Sequence, residues 1–239
     1  MVKKKRSISV IIPVFREADR IGETLRHVQE VAGSNSYEIC IIDGAIERDT
    51  LDSAEGYGAV LIGSTSGRGH QMNVGAKFAA GDILVFLHAD TRLPEGAFEE
   101  IARILDGDAS AGAFRLGFDS DSFAMRWIAF WANVRSALTR APYGDQVLFF
   151  ERKFFFNIGG YREIPLMEDL EIMTRVRRLG RRIQISPLRV TSAARRWEQE
   201  GKLRCTLRNW AIRLAYHARV SPYVLAQWYS FGGEGDDGD

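Results

Sequence analysis

Short apolar runs alternate with amphipathic stretches through the first half of the chain. Ser7–Val14 (SISVIIPV), Tyr37–Ile42 (YEICII), Ala59–Ile62 and Ile83–Leu87 are β-rich runs bounded by turn residues, and each predicts a strand. Between them, Phe15–Ala32 places Ile21, Leu25 and Val28 at helical spacing, Asp49–Gly56 predicts a short helix, and His70–Ala80 a third. Pro94, well placed in a first helical turn, opens a helix reaching Leu105. This βα alternation predicts an α/β fold with a mostly parallel, Rossmann-like sheet and helices on both faces.

The second half is less regular. Ala111–Phe118 alternates as a strand does, Phe123–Leu138 is an aromatic-rich helix, and Gln146–Phe150 is a strand followed by one helical turn ending at Gly159-Gly160. Glu168–Leu179 predicts a helix with Ile172, Val176 and Leu179 on one face, and Arg182–Ile185 a last strand. Leu203–Ala218 is amphipathic, with Leu203, Leu207, Trp210, Leu214 and Ala218 in one stripe and Arg204 and Arg208 beside it. Residues 7–93 form one half of a domain ending near 195, and 94–195 the other. Residues 196–231 form a C-terminal extension of amphipathic helices, and residues 232–239 an acidic tail expected to be disordered.

With 239 residues, 46% of them hydrophobic, the chain has ample core for one large domain with appended helices. A formal charge of +1 hides an asymmetry: residues 175–219 hold 13 Lys and Arg against two acids, Glu198 and Glu200. Such a segment suits an anionic partner: phosphates, a lipid surface or nucleic acid. The stripe of 203–218 fits an anionic membrane surface, packing on the preceding domain, or a second subunit equally well. Cys40 lies in an apolar strand and reads as core; with Cys205 far away, neither a metal motif nor a disulfide framework arises. The charged start MVKKKRS leads straight into a strand with no signal-peptide apolar region, and no run of 18 apolar residues occurs. The cytoplasm is the expected location, with peripheral attachment at the inner face of the membrane if the stripe binds lipid.

Three acidic sites follow strands or loops in order: Asp43, Asp90 and the pair Glu168-Asp169. Asp43 and Asp90 follow strands whose C-terminal ends share one edge, where α/β sheets bind ligands. Asp90 suits a hard cation such as Mg²⁺ or Mn²⁺, and His88, two residues earlier on the same side, can add a nitrogen. Asp43 can accept hydrogen bonds from a nucleobase or ribose, and Asp169 or Glu168 can act as general base. Each also has an ordinary reading: Asp43-Gly44 as a turn, Asp90-Thr91 as a helix cap, Glu168-Asp169 as charges at a helix start, and Arg68 as a solvated loop cation. Their joint order is what these readings leave unexplained.

That order resembles the family-2 glycosyltransferases of GT-A fold. The matching stretches are VIIPVFRE (10–17), EICIIDG (38–44), RGHQMNVGAKFAAGDILVFLHAD (68–90) and the run from Gly144 to Gly180. The Leu-His-Ala-Asp-Thr run resembles a small bacterial branch, some of whose members are assigned to arsenosugar biosynthesis. The resemblance implies an enzyme transferring a sugar from a nucleoside-diphosphate donor to a hydroxyl acceptor with inversion. It implies that Pro13, Phe15 and Glu17 border the nucleoside, Asp43 binds base or ribose, Arg68 lies over the nucleotide and Asn73 shapes its loop. Asp90 matches the last carboxylate of the metal motif, with Mg²⁺ or Mn²⁺ as cofactor. Asp169 matches the catalytic base with Glu168 beside it, and Asp145 or Gln146 lies near the acceptor sugar. Two departures stand out: His88 replaces the motif's first carboxylate, and Gly-Ala-Ile-Glu-Arg after Asp43 replaces the usual small, polar loop.

A silent sugar-nucleotide-binding or scaffold protein is the alternative from another class, since both departures fall in the donor site. A sugar nucleotidyltransferase would need a Gly-rich loop after the first strand, where this chain has PVFREADR; the missing G-x-G-x-x-G argues against a dehydrogenase. Nucleic-acid binding rests on Arg content alone and is not expected.

Overall fold

The structure is a computed structural model that describes residues 6–195, 197 and 200–231; the acidic tail predicted for 232–239 lies outside the described residues. The first strands are β1 (Ile8–Val14), β2 (Tyr37–Asp43), β3 (Val60–Gly63) and β4 (Ile83–Phe86), and between them run α1 (Ala18–Ala32), α2 (Asp49–Ser53) and α3 (Arg68–Phe78). A two-residue strand β5 (Thr91–Arg92), not expected from the sequence, precedes α4 (Ala97–Leu105). Then come β6 (Ala109–Phe118), α5 (Phe123–Thr139), a 3-10 turn at Gly144–Gln146, β7 (Leu148–Glu151) and α6 (Arg152–Asn157). The chain continues through α7 (Glu168–Arg178) and β8 (Arg182–Ser192) to α8 (Lys202–His217) and α9 (Pro222–Phe231).

The strands form one sheet in the order β3-β2-β1-β4-β7-β6-β8-β5. β1 to β4 pair parallel, as does β6 with β8, whereas β7 runs antiparallel to both its neighbours and β5 antiparallel to β8. The sheet is therefore mixed but mostly parallel, with helices on both faces as expected. The pleat sorts the core between those faces. Val10, Ile12, Ile41 and Val85 pack against α1 and α4, while Ile11, Ile42, Leu84 and Phe86 pack against α3 and α7. Cys40 is buried in the second layer, as read from the sequence.

Boundaries in the second half differ from those expected. The strand expected at 182–185 runs on to Ser192 because Pro187 falls in a bulge: Ala113 pairs with Ile185, but Arg115 with Arg189. Proline removes a ladder donor and is tolerated where pairing is already broken. Gln146, expected in a strand, lies in the 3-10 turn, and β7 begins only after Val147 takes a positive φ of 54°.

Candidate active site

The C-terminal ends of β1, β2 and β4 form one rim. Val14 is in register with Asp43, Gly44 donates its N–H to the Val14 carbonyl (3.0 Å), and Leu87 donates to that of Ile11 (3.0 Å). Phe15–Glu17, Asp43–Gly44 and His88–Asp90 therefore leave the sheet along the same edge. Asp43 is fully buried. Its Oδ1 accepts the Ala45 N–H at 2.9 Å, its Oδ2 has no partner among the described residues, and burial pushes its carboxyl up. Pro13 is partly buried and Phe15 is exposed. Glu17 donates its N–H to Thr50 Oγ1 (3.0 Å). Burial raises the Glu17 carboxyl, Arg20 opposes that shift and the charge of Asp90 adds to it.

Helix α3 is fixed across this rim by a residue that sequence reasoning passed over. Gln71 is buried and donates from Nε2 to the Val14 and Ile42 carbonyls, each at 2.8 Å. The signal was present: an amide among small and apolar residues on the helix face turned to the sheet. Gly75, one turn on, allows the close approach, since a Cβ there would lie 2.5 Å from both Ile11 Cγ2 and Ile42 Cδ1. Asn73 clamps α3 to the segment before α7: its Oδ1 accepts the Tyr161 N–H and its Nδ2 donates to the Tyr161 carbonyl, both at 2.9 Å. Arg68, expected in a loop, is thus the first residue of a rigidly held helix.

Glu168 and Asp169 occupy the first turn of α7. Glu168 is almost completely buried, with Arg68 Nη1 3.5 Å from its Oε1. Burial pushes the Glu168 carboxyl up to about 7; Arg68 opposes that shift and Asp169 adds to it. Asp169 accepts the Gly144 N–H on Oδ2 (2.8 Å) and the Leu170 N–H on Oδ1 (2.6 Å). A Cβ on Gly144 would come within 2.8 Å of His88 Nε2 and 3.5 Å of Asp169 Oδ2, so this turn sits directly between the strand end and α7. Burial, with the charge of Arg68, brings the His88 imidazole down to about 3, leaving it neutral with a lone pair to offer.

Asp145 follows in the same turn. Burial raises its carboxyl to about 6; Arg135 opposes, Asp169 and Asp90 add, and Oδ1 has no partner among the described residues. Arg135, also missed, stacks 3.5 Å over the Tyr143 ring and donates to the Ala141 carbonyl (3.0 Å), bracing the turn from α5. Gln146 corrects the expectation of an acceptor-facing residue. It is fully buried, its Oε1 accepts the Ser136 hydroxyl at 2.5 Å, and its Nε2 donates to the Phe114 carbonyl at 3.0 Å. Arg68 ties the cluster together: its guanidinium is pushed up chiefly by Glu168 and also by Asp169, Asp90 and Asp145. One cation and four carboxylates from three distant segments thus share one electrostatic neighbourhood.

Among the described residues, no three of His, Cys, Asp and Glu group as a ready-made metal cage. Asp90 is an exposed carboxylate, with neutral His88 two residues before it. That donor set fits a cation whose remaining oxygens come from phosphates and water. Asp90 also lines a cleft with Arg20, Arg92, Asp119 and Arg195. Arg195 thus lies beside Asp90.

Comparisons with known proteins bear on the fold and the family. Over 111 residues the chain is 31% identical to the undecaprenyl-phosphate 4-deoxy-4-formamido-L-arabinose transferase of Klebsiella pneumoniae (strain 342), covering 42% of this chain and 33% of the relative. The corresponding protein of Enterobacter sp. (strain 638) is 30% identical over 115 residues, covering 44% and 34%. The match thus spans about a third of the length of these curated relatives. Among solved structures, a mannosyltransferase from Pyrobaculum calidifontis in complex with GDP-Man and Mn²⁺ superposes with a TM-score of 0.69 at 19% identity, over 96% of this chain and 70% of that one. Residues 1–349 of TarS from S. aureus superpose with a TM-score of 0.60 at 18% identity, over 79% and 60%. These two share the fold, which is the expected GT-A-type arrangement. The sequence profile of Glycosyl transferase family 2 matches residues 9–162, from the first strand, across the rim and α3, to the segment that Asn73 clamps, and by that match the chain belongs to glycosyl transferase family 2.

Proposed function

We propose that this chain transfers a sugar from a nucleoside-diphosphate donor to an acceptor hydroxyl by direct displacement with inversion. The observation that carries the proposal is the gathering of Arg68, Asp90, Asp145, Glu168 and Asp169 at one end of the sheet. In this reading Pro13, Phe15 and Glu17 border the nucleoside. The unpaired Oδ2 of buried Asp43 accepts a hydrogen bond from base or ribose. Asp90 and His88 would hold Mg²⁺ or Mn²⁺, whose chemistry is to offset charge on the departing diphosphate. Arg68 adds a fixed positive charge over the same phosphates. The acceptor oxygen bonds to the anomeric carbon as the bond from that carbon to phosphate breaks. The electron pair leaves with the diphosphate, and Asp169 takes the hydroxyl proton. Asp145 orients the acceptor with its unpaired oxygen, while Gln146 holds the turn in place.

A second reading is favoured by the names of the curated relatives, which point to a lipid phosphate as acceptor. A phosphate oxygen is already ionised and needs no base. The Leu87–Thr91 run supports membership of the small bacterial branch noted above.

Release of nucleoside diphosphate from UDP-, GDP- and dTDP-sugars, with and without Mn²⁺, tests the function against an acceptor panel of hydroxyl compounds and a polyprenyl phosphate. Turnover of one donor, with metal-dependent donor binding lost in Asp90→Asn, is expected. Donor-induced thermal stabilisation without turnover on any acceptor would instead favour the silent binder.

A further inference from the structure

Helix α5 is amphipathic in the inverted sense. Its inner face is fixed to the sheet: Met125 and Ala129 are buried, and Asn133 pairs with both the N–H (2.8 Å) and the carbonyl (2.9 Å) of Leu116. Its outer face carries Phe123, Trp127, Phe130, Trp131 and Leu138, which are 48–81% exposed. The four aromatic rings stack on or abut one another, with centroids 5.6–6.3 Å apart. Isolated exposed apolar residues are ordinary, whereas a contiguous aromatic face marks an interaction surface.

The same inversion recurs next door. α5 packs against α8, and α8 against α9. α8 buries Cys205 and Ile212 but leaves Leu207, Trp210 and Leu214 53–62% exposed. At Leu207, Trp210 and Leu214 the predicted apolar stripe therefore faces away from the catalytic domain, and packing on that domain does not explain it. On α9, Tyr223 and Trp228 are likewise exposed.

Charge decides the partner. α5, α8 and α9 contain no Asp or Glu, while α5 and α8 carry Arg126, Lys202, Arg204 and Arg213; Arg135 turns inward onto Tyr143 and Arg208 pairs with Glu200. Arg126 and Arg204 are exposed, and the Arg213 guanidinium lies 5.2 Å from the Trp210 ring centroid. Tryptophan and tyrosine settle at the headgroup level of a bilayer, and basic residues beside them are drawn to anionic lipid. Among the described residues no helix is long and apolar enough to cross a membrane, so the fitting mode is attachment to the surface.

We infer that the outer faces of α5, α8 and α9 form a surface that docks on an anionic lipid bilayer. α5 also supplies Arg135, which braces the turn bearing Asp145, so the docked face adjoins the acceptor side of the site. The inference concerns attachment and stands whether or not the transfer chemistry above is right.

The full chain is sedimented with vesicles of phosphatidylcholine alone, or with 30% phosphatidylglycerol, at low and high salt. Binding to the anionic vesicles is expected to weaken by about tenfold or more as salt rises through a range that screens surface charge. The Trp127→Ser/Trp131→Ser pair, and separately Arg126→Glu/Arg204→Glu, is expected to cost a similar factor at low salt. Quenching of wild-type tryptophan fluorescence by brominated lipid reads insertion without any variant. Equal binding to both vesicle types, or absence of quenching, overturns the proposal. So does a stable dimer by analytical ultracentrifugation that leaves vesicles unbound, which would assign this face to a second copy of the chain. Donor turnover is not part of the readout, so failure of the transferase assignment and failure of docking are separate results.

Discussion

Asp169 and Glu168 are adjacent but differently placed. Asp169 has each oxygen fixed by a backbone N–H, which leaves further lone pairs aimed by a rigid frame. Glu168 is deeper and faces Arg68, so it suits holding that cation rather than meeting an acceptor. Asp169→Asn keeps the size but loses the proton acceptor, together with one of the two backbone hydrogen bonds, since an amide has a single acceptor oxygen. For a hydroxyl acceptor its turnover is expected to fall by about 10²–10⁴-fold, with donor affinity retained in calorimetry. A fall of less than about tenfold would exclude Asp169 as base, and would fit an acceptor already ionised. These residues were legible in the sequence because strand ends and a helix start fixed their positions. Gln146 was not. Adjacency to Asp145 suggested the crevice, but the 3-10 turn rotates its amide inward to Ser136 and Phe114.

At the scale of elements, α3 holds Arg68 in place because Gln71 adds a side-chain donor to the carbonyls at the ends of two strands, Val14 and Ile42. Gln71→Ala leaves the Val14 and Ile42 carbonyls without this donor in a buried setting, a loss of about 1–3 kcal/mol. It should lower the urea midpoint and, by loosening Arg68, weaken donor binding as well. Stability lost with donor affinity unchanged would show that α3 is held by its apolar face alone. The βα alternation of the first half was readable because apolar period and turn residues agree there. The second half was less so, for physical reasons. β8 crosses Pro187 on a bulge in which Ser186 Oγ accepts the Leu188 N–H at 3.0 Å, a substitute that composition does not announce. β5 is two residues long and owes its existence to β8. The α8 stripe was plain in the sequence, but its direction depends on which face finds a sheet, and the structure turns it outward.

For the whole molecule, bringing one arginine and several carboxylates together in a half-buried crevice makes stability depend on pH. Glu168 shows the sign. Its carboxyl is raised to about 7 from an ordinary 4.5, mainly by burial and further by Asp169, against the opposing pull of Arg68. Between those values the folded chain keeps a proton that the unfolded chain has released, so folding binds protons and stability falls as pH rises. The favourable contribution is complete below the ordinary carboxylate range and is lost as pH passes through about 7. A group shifted this far supplies on the order of 1–3 kcal/mol across that window. Glu168→Gln removes the titration while keeping the shape, so its advantage over the wild type should grow from pH 5 to pH 7.5. Paired thermal melts at several pH values measure that difference directly, because other titrations are common to both proteins. Parallel melting curves across the window would mean that Glu168 is ionised throughout, held by Arg68 as a plain ion pair.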